Sequence, residues 1–136
     1  MRRVSLTVLL FCFGCSSVAA GQGKAAADTP PPSIRYLSEW SVCQRDFVTP
    51  WLHSSEPIAS VVEEAHAHCL NEKQALREAM NTEHGPNKGA SILASLSEAT
   101  DQIMCGLLTS ARNPGAKNIT FKTAADCLAG NISVTP

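Results

Sequence analysis

No apolar run in this chain of 136 residues reaches the roughly 20 needed to cross a bilayer as a helix, which excludes a membrane-spanning segment. A cluster of lysines and arginines is also missing, and neutralising the phosphates of nucleic acid or of an anionic membrane needs one. Closely spaced cysteines are absent: the gaps separating Cys43, Cys69, Cys105 and Cys127 are 26, 36 and 22 residues. Structural zinc sites use pairs such as C-x2-C and redox centres use C-x-x-C, so neither chemistry finds its usual residues. The nucleophile elbow G-x-S-x-G, the phosphate loop G-x-x-x-x-G-K-[ST] and the zincin H-E-x-x-H do not occur. On this basis no catalytic, cofactor-binding or metal-ligating residue is assigned, and neither enzyme activity nor a cofactor is expected.

What is present begins with an export signal. Met1-Arg2-Arg3 is a positive leader, residues 4–13 are apolar, and Ser17-Val18-Ala19-Ala20 supplies small residues for cleavage, which predicts a secretory signal peptide over 1–20. Phe13-Gly14-Cys15 resembles the end of a bacterial lipobox, which would make Cys15 a lipid anchor. Cys12 stands where that motif has leucine, so cleavage near Ala20 is preferred. Residues 21–32 are polar, end in prolines and show no periodicity, as in a flexible leader. Residues 33–136 then form a single domain. Losing Arg2 and Arg3 leaves nine basic residues against 12 acidic, a net charge of −3 with His neutral.

Exported chains meet an oxidising environment, where four widely spaced cysteines read as a disulfide framework of Cys43, Cys69, Cys105 and Cys127. Between them the apolar period is helical. Tyr36, Trp40, Cys43, Phe47 and Trp51 recur at intervals of three and four, so a helix over 36–52 carries one aromatic stripe. Such a stripe is better read as a core face than as a ligand box. Pro50 leaves Trp51 at a kink or in the connection.

A serine-rich start before Pro57 opens a second helix over 57–81, on which Ile58, Val61, Val62, Ala65, Cys69, Leu76, Ala79 and Met80 share one arc. Within it lies VVEEAHAHC, residues 61–69, whose histidines and acids suggest a metal site. His66 and His68 are two apart and face different ways, so they cannot clasp one ion. Glu63-x-x-His66 matches half of a di-iron pattern, but no second pair completes it. Glu63, Glu64, His66 and His68 are therefore boundary or solvated positions, and Cys69 faces the core.

Residues 84–89, HGPNKG, read as a connection. A third helix over 90–112 places Ile92, Leu93, Leu96, Ala99, Ile103, Met104, Leu107 and Ala111 on its apolar side. Cys105 falls on the opposite side with Glu98, Asp101 and Arg112, and needs a cover. Residues 119–128, a short helix or extended return after the turn Asn113-Pro114-Gly115, can supply it. Counting about 1.5 Å per residue sets Cys43 level with Cys69 and Cys105 level with Cys127. Cys69 and Cys105 can also be level, but only Cys43 and Cys69 lie on or beside apolar arcs. The expected bridges are Cys43–Cys69 and Cys105–Cys127. Asn118-Ile119-Thr120 and Asn131-Ile132-Ser133 fit the glycosylation acceptor pattern, which matters in a eukaryotic host.

The signal together with VVEEAHAHCLNEKQALREAM resembles small exported helical proteins of Gram-negative bacteria. Trp40-Ser41-Val42-Cys43 followed by Phe47 is similar to the start of periplasmic acid-stress chaperones, which have one disulfide and a different cysteine spacing. The expectation is an all-α, disulfide-stapled bundle of three main helices plus a short C-terminal helical segment, periplasmic or secreted. It would act by binding or structural interaction with a protein partner in the cell envelope. Two alternatives stand beside this. One is an acid-stress chaperone, whose protonated carboxylates and histidines would loosen the helices and expose the aromatic stripe. The other is a small metal-dependent enzyme using His66, His84 or Glu63.

Overall fold

The computed structural model describes residues 29–136. The signal peptide, the Cys15 lipobox and most of the expected leader lie outside them. The described chain is mainly helical, in the order α1 (Pro32–Val48), a 3-10 turn (Thr49–Trp51), α2 (Ile58–His68), α3 (Leu70–His84), α4 (Pro86–Arg112), β1 (Asn118–Thr120), α5 (Ala124–Leu128) and β2 (Ser133–Thr135). The expected all-α, disulfide-stapled architecture is present, with a minor strand pair added.

Helix α1 starts at Pro32, whose fixed φ and missing N–H suit the first helical position. It has no side-chain cap of its own. Glu83, at the end of α3, accepts hydrogen bonds from the Ser33 backbone N–H (2.9 Å) and the Ser33 hydroxyl. Pro50 cannot donate within a continuing helix, so α1 gives way to the 3-10 turn that contains Trp51.

The helix expected over 57–81 is two helices. It breaks at Cys69, where φ −98° and ψ 27° leave the helical region, and α3 resumes at the next residue. No proline or glycine occurs at the break, so tertiary packing sets it. On one side of the bend, Val61, Val62 and Ala65 of α2 join Val48, Met104 and Leu108 in one buried cluster. On the other, Leu76 and Met80 of α3 join Trp40, Cys69 and Leu93 in a second. One straight helix would have to follow α1 along its whole length, and the bend lets α2 and α3 serve separate cores.

The expected connection over 84–89 shrinks to Gly85 alone. Its φ of +82° suits a residue without Cβ, and Pro86 then starts α4. At Gly89 the two helices nearly touch: a Cβ there would lie 2.6 Å from Asn81 Oδ1 and 2.8 Å from the Met80 carbonyl.

The apolar side of α4 also differs from expectation. Leu93 and Met104 are buried, but Ile103 is 62% and Leu107 48% exposed, whereas Cys105 and Leu108 are fully buried. The physical reason is the cover. The C-terminal segment packs α5 onto the Cys105 side of α4 and draws the buried stripe toward it. Thr123 caps α5 by accepting from Asp126 N–H, and Glu98 of α4 accepts from Ala124 N–H (2.9 Å). The helix ends in a Schellman arrangement at Gly130, φ +78°, with Asn131 N–H donating to the Asp126 carbonyl. Strands β1 and β2 then pair antiparallel, Ile119 opposite Val134.

Candidate functional site

The four cysteines lie in two pairs, Cys43–Cys69 and Cys105–Cys127, with Cα atoms 5.9 and 6.3 Å apart. The first ties α1 to the bend between α2 and α3. The second ties α4 to α5. Cys69, Cys105 and Cys127 are at most 1% exposed, and all four sulfurs are engaged as fasteners. Two disulfides point to an oxidising compartment outside the cytoplasm.

The aromatic stripe of α1 packs inward. Trp40 is fully buried in the second cluster with Tyr36 and Cys43 against it, and Phe47 and Trp51 pack on the first. Trp51 is held from α4 as well. Arg112 Nη2 donates to the Trp51 carbonyl and to Ser54 Oγ, and Nη1 donates to the Glu56 carbonyl (2.6 Å), which fixes the connection before α2.

The residues of VVEEAHAHC disperse. Glu63, Glu64 and His68 are exposed, and the His68 ring lies 5.0 Å from that of Phe47. His66 is half-buried, with Nε2 2.6 Å from Asp101 Oδ1 of α4 and Nδ1 3.4 Å from Gln44 Nε2 of α1. Both nitrogens thus have a close polar neighbour, the Asp101 carboxylate at Nε2 and the Gln44 amide at Nδ1. His84 Nε2 stands 3.9 Å from Glu83 Oε2, far along the chain from His66. Among the described residues no group of three or more His, Cys, Asp or Glu side chains is placed to hold a metal.

One surface concentrates exposed apolar side chains. A groove of about 390 Å³ runs between α1 and α4, lined by Val42, Val48, Ile103, Met104 and Leu107 among others. Val42 is 41% exposed, beside the still more open Ile103 and Leu107. Gln44 also lines it, is 1% exposed, and its Oε1 has no hydrogen-bond partner. The groove therefore offers mainly apolar contact, with Gln44 buried behind it. Sequence periodicity missed it, because Ile103 and Leu107 carry the signature of core residues; only the burial of Cys105 on the other side of α4 hints that the helix is turned away.

Titration behaviour is set locally at Glu83. The Ser33 hydroxyl, then the Ser33 backbone N–H, hold its carboxyl below the ordinary value, assisted by nearby His84 and opposed by partial desolvation. No described helix is long and apolar enough to cross a membrane. In comparison with known proteins, no family model matches the chain, and neither a curated protein nor a solved structure is significantly similar to it.

Proposed function

We propose that this is an exported, non-catalytic binding protein of the cell envelope, periplasmic or secreted, which engages a protein partner through the groove between α1 and α4. The observation that carries the reading is the grouping of Val42, Ile103 and Leu107, all exposed, along one groove. Contiguous apolar surface on a small domain marks an interaction site more often than scattered apolar residues do. Each wall of the groove is pinned by a disulfide to a neighbouring element, α1 to the α2–α3 bend and α4 to α5, which lowers the ordering cost of binding. The fitting occupant is the apolar face of a partner helix.

Site-specific photo-crosslinking in the native host tests this. A photoreactive residue at Ile103 is expected to yield one discrete adduct in the envelope fraction, lost when Val42→Asp is added. The same residue at exposed Leu70 is expected to yield none. Absence of an adduct from Ile103, or the same adducts from both positions, would end the proposal.

The acid-stress reading is favoured by one observation, the cap that Glu83 places on α1. Its carboxylate must be charged to serve fully, so acid releases the start of the helix that carries Trp40. Apolar dye binding and suppression of client aggregation at about pH 2–3, below the ordinary carboxylate range, are the expected signs. Their absence removes this reading and leaves the first untouched.

A further inference from the structure

A second cleft, of about 460 Å³, lies between α3 and α4 and shares no residue with the apolar groove. Two cations one helical turn apart on α3, Lys73 and Arg77, line it. Lys73 is held in place: its Nζ donates to Ser97 Oγ across the cleft (2.9 Å) and lies 5.5 Å from the centre of the Trp40 ring. Arg77 is exposed and makes no hydrogen bond or ion pair among the described residues.

Neither wall compensates these charges. The positions one turn from Arg77 on α3 are Lys73, Gln74, Met80 and Asn81, and the facing wall presents Pro86, Ala90, Leu93, Ala94 and Ser97. The nearest acid on α4, Glu98, is already engaged by Ala124 N–H and Gln102. Like charges at i and i+4 work against a helix, and here they sit in a chain whose acids outnumber its bases. Exposed Ala90 and Ala94 leave the space before the guanidinium unfilled. Asn81 buries Oδ1 beside Gly89. Both charged groups that α3 offers to the cleft are cations.

We infer that this cleft binds a carboxylate-bearing segment of another protein. Arg77 receives an acidic side chain through its paired N–H groups. Lys73 supplies a second positive charge about 6 Å along the helix, and Ala90, Leu93 and Ala94 support the aliphatic stem. The 73–81 stretch spans about 12 Å, which suits a segment with two acids one turn apart. The site does not depend on the groove between α1 and α4.

The test is amide-shift mapping on the oxidised, signal-cleaved chain at low salt. The probe is an alanine-rich helical peptide carrying Glu pairs at i and i+4, compared with its Gln counterpart and with free glutarate. Expected are shifts at Lys73, Arg77, Ala90 and Ala94, affinity falling with salt, and at least about tenfold weaker binding of both comparison ligands. Arg77→Gln, which breaks no hydrogen bond or ion pair among the described residues, is expected to weaken the peptide about tenfold without lowering the thermal midpoint. No shift at millimolar peptide, shifts outside the cleft, or equal binding by the Gln peptide or by the Arg77→Gln variant would overturn the inference. Equal binding of glutarate would overturn its assignment to a protein segment.

Discussion

Glu83 shows how far the effect of a single residue reaches, because it caps a helix fifty residues away in sequence. Its carboxyl is held below the ordinary value by Ser33. The sign follows from linkage: a depressed carboxylate contributes stability above the ordinary pKa and loses it as pH falls through the folded value. Glu83→Gln is therefore expected to lower stability at neutral pH, with the difference from wild type closing in acid. Urea melts at neutral pH and at about pH 3 check this; a constant gap would assign the contact no charge dependence. The exposure of Glu63, Glu64 and His68 was legible, since helical spacing fixes which way each residue faces. The contacts His66–Asp101 and Gln44–His66 were not. A projection gives the face of a residue and is silent about what approaches it from another helix.

At the scale of elements, the contact between α3 and α4 turns on a glycine. Ala is favoured over Gly inside a helix by about 1 kcal/mol, so Gly106→Ala, whose Cβ would meet only Phe121 at 3.8 Å, is expected to be neutral or stabilising. Gly89→Ala gains the same propensity but drives a Cβ into the Met80 backbone at 2.8 Å. Overpacking of that kind costs about 1–3 kcal/mol, and a net loss of about 1 kcal/mol is expected in urea denaturation. Opposite signs for the two variants are the outcome to look for. Helix existence was readable from period and punctuation, and α4 ends at Arg112 where Asn113-Pro114-Gly115 predicts. The break at Cys69 was not readable, because residues 65–73 contain no helix breaker and the bend serves two separate cores. Nor was the facing of Ile103 and Leu107, which depends on where α5 lands.

For the molecule as a whole, the disulfides close loops of 26 and 22 residues, each worth roughly 3 kcal/mol in the chain-entropy account. Against a total of about 5–15 kcal/mol for a small domain, losing both is expected to unfold it at physiological temperature. The two losses should differ in kind. Without Cys105–Cys127, through Cys→Ser at both, residues after Pro114 should exchange amide hydrogens rapidly while α1 to α4 stay protected. Without Cys43–Cys69, protection should fall across both cores, because that bridge sits at the junction between them. Hydrogen exchange of the two double variants distinguishes these patterns, and identical profiles would contradict them.

The amino-acid order alone determined the helical class, the oxidising context and the fastener role of sulfur, because periodicity, composition and cysteine spacing are properties of the chain taken locally. It also narrowed the cysteine pairing, since helix rise converts residue number into height. Tertiary structure decided where the second helix bends, which face of α4 stays open, and that Lys73 and Arg77 line a cleft without an opposing acid. Each of these depends on one element meeting another. Where α5 covers Cys105, the buried stripe of α4 turns toward it and leaves Ile103 and Leu107 to solvent, and no pattern within the helix carries that information.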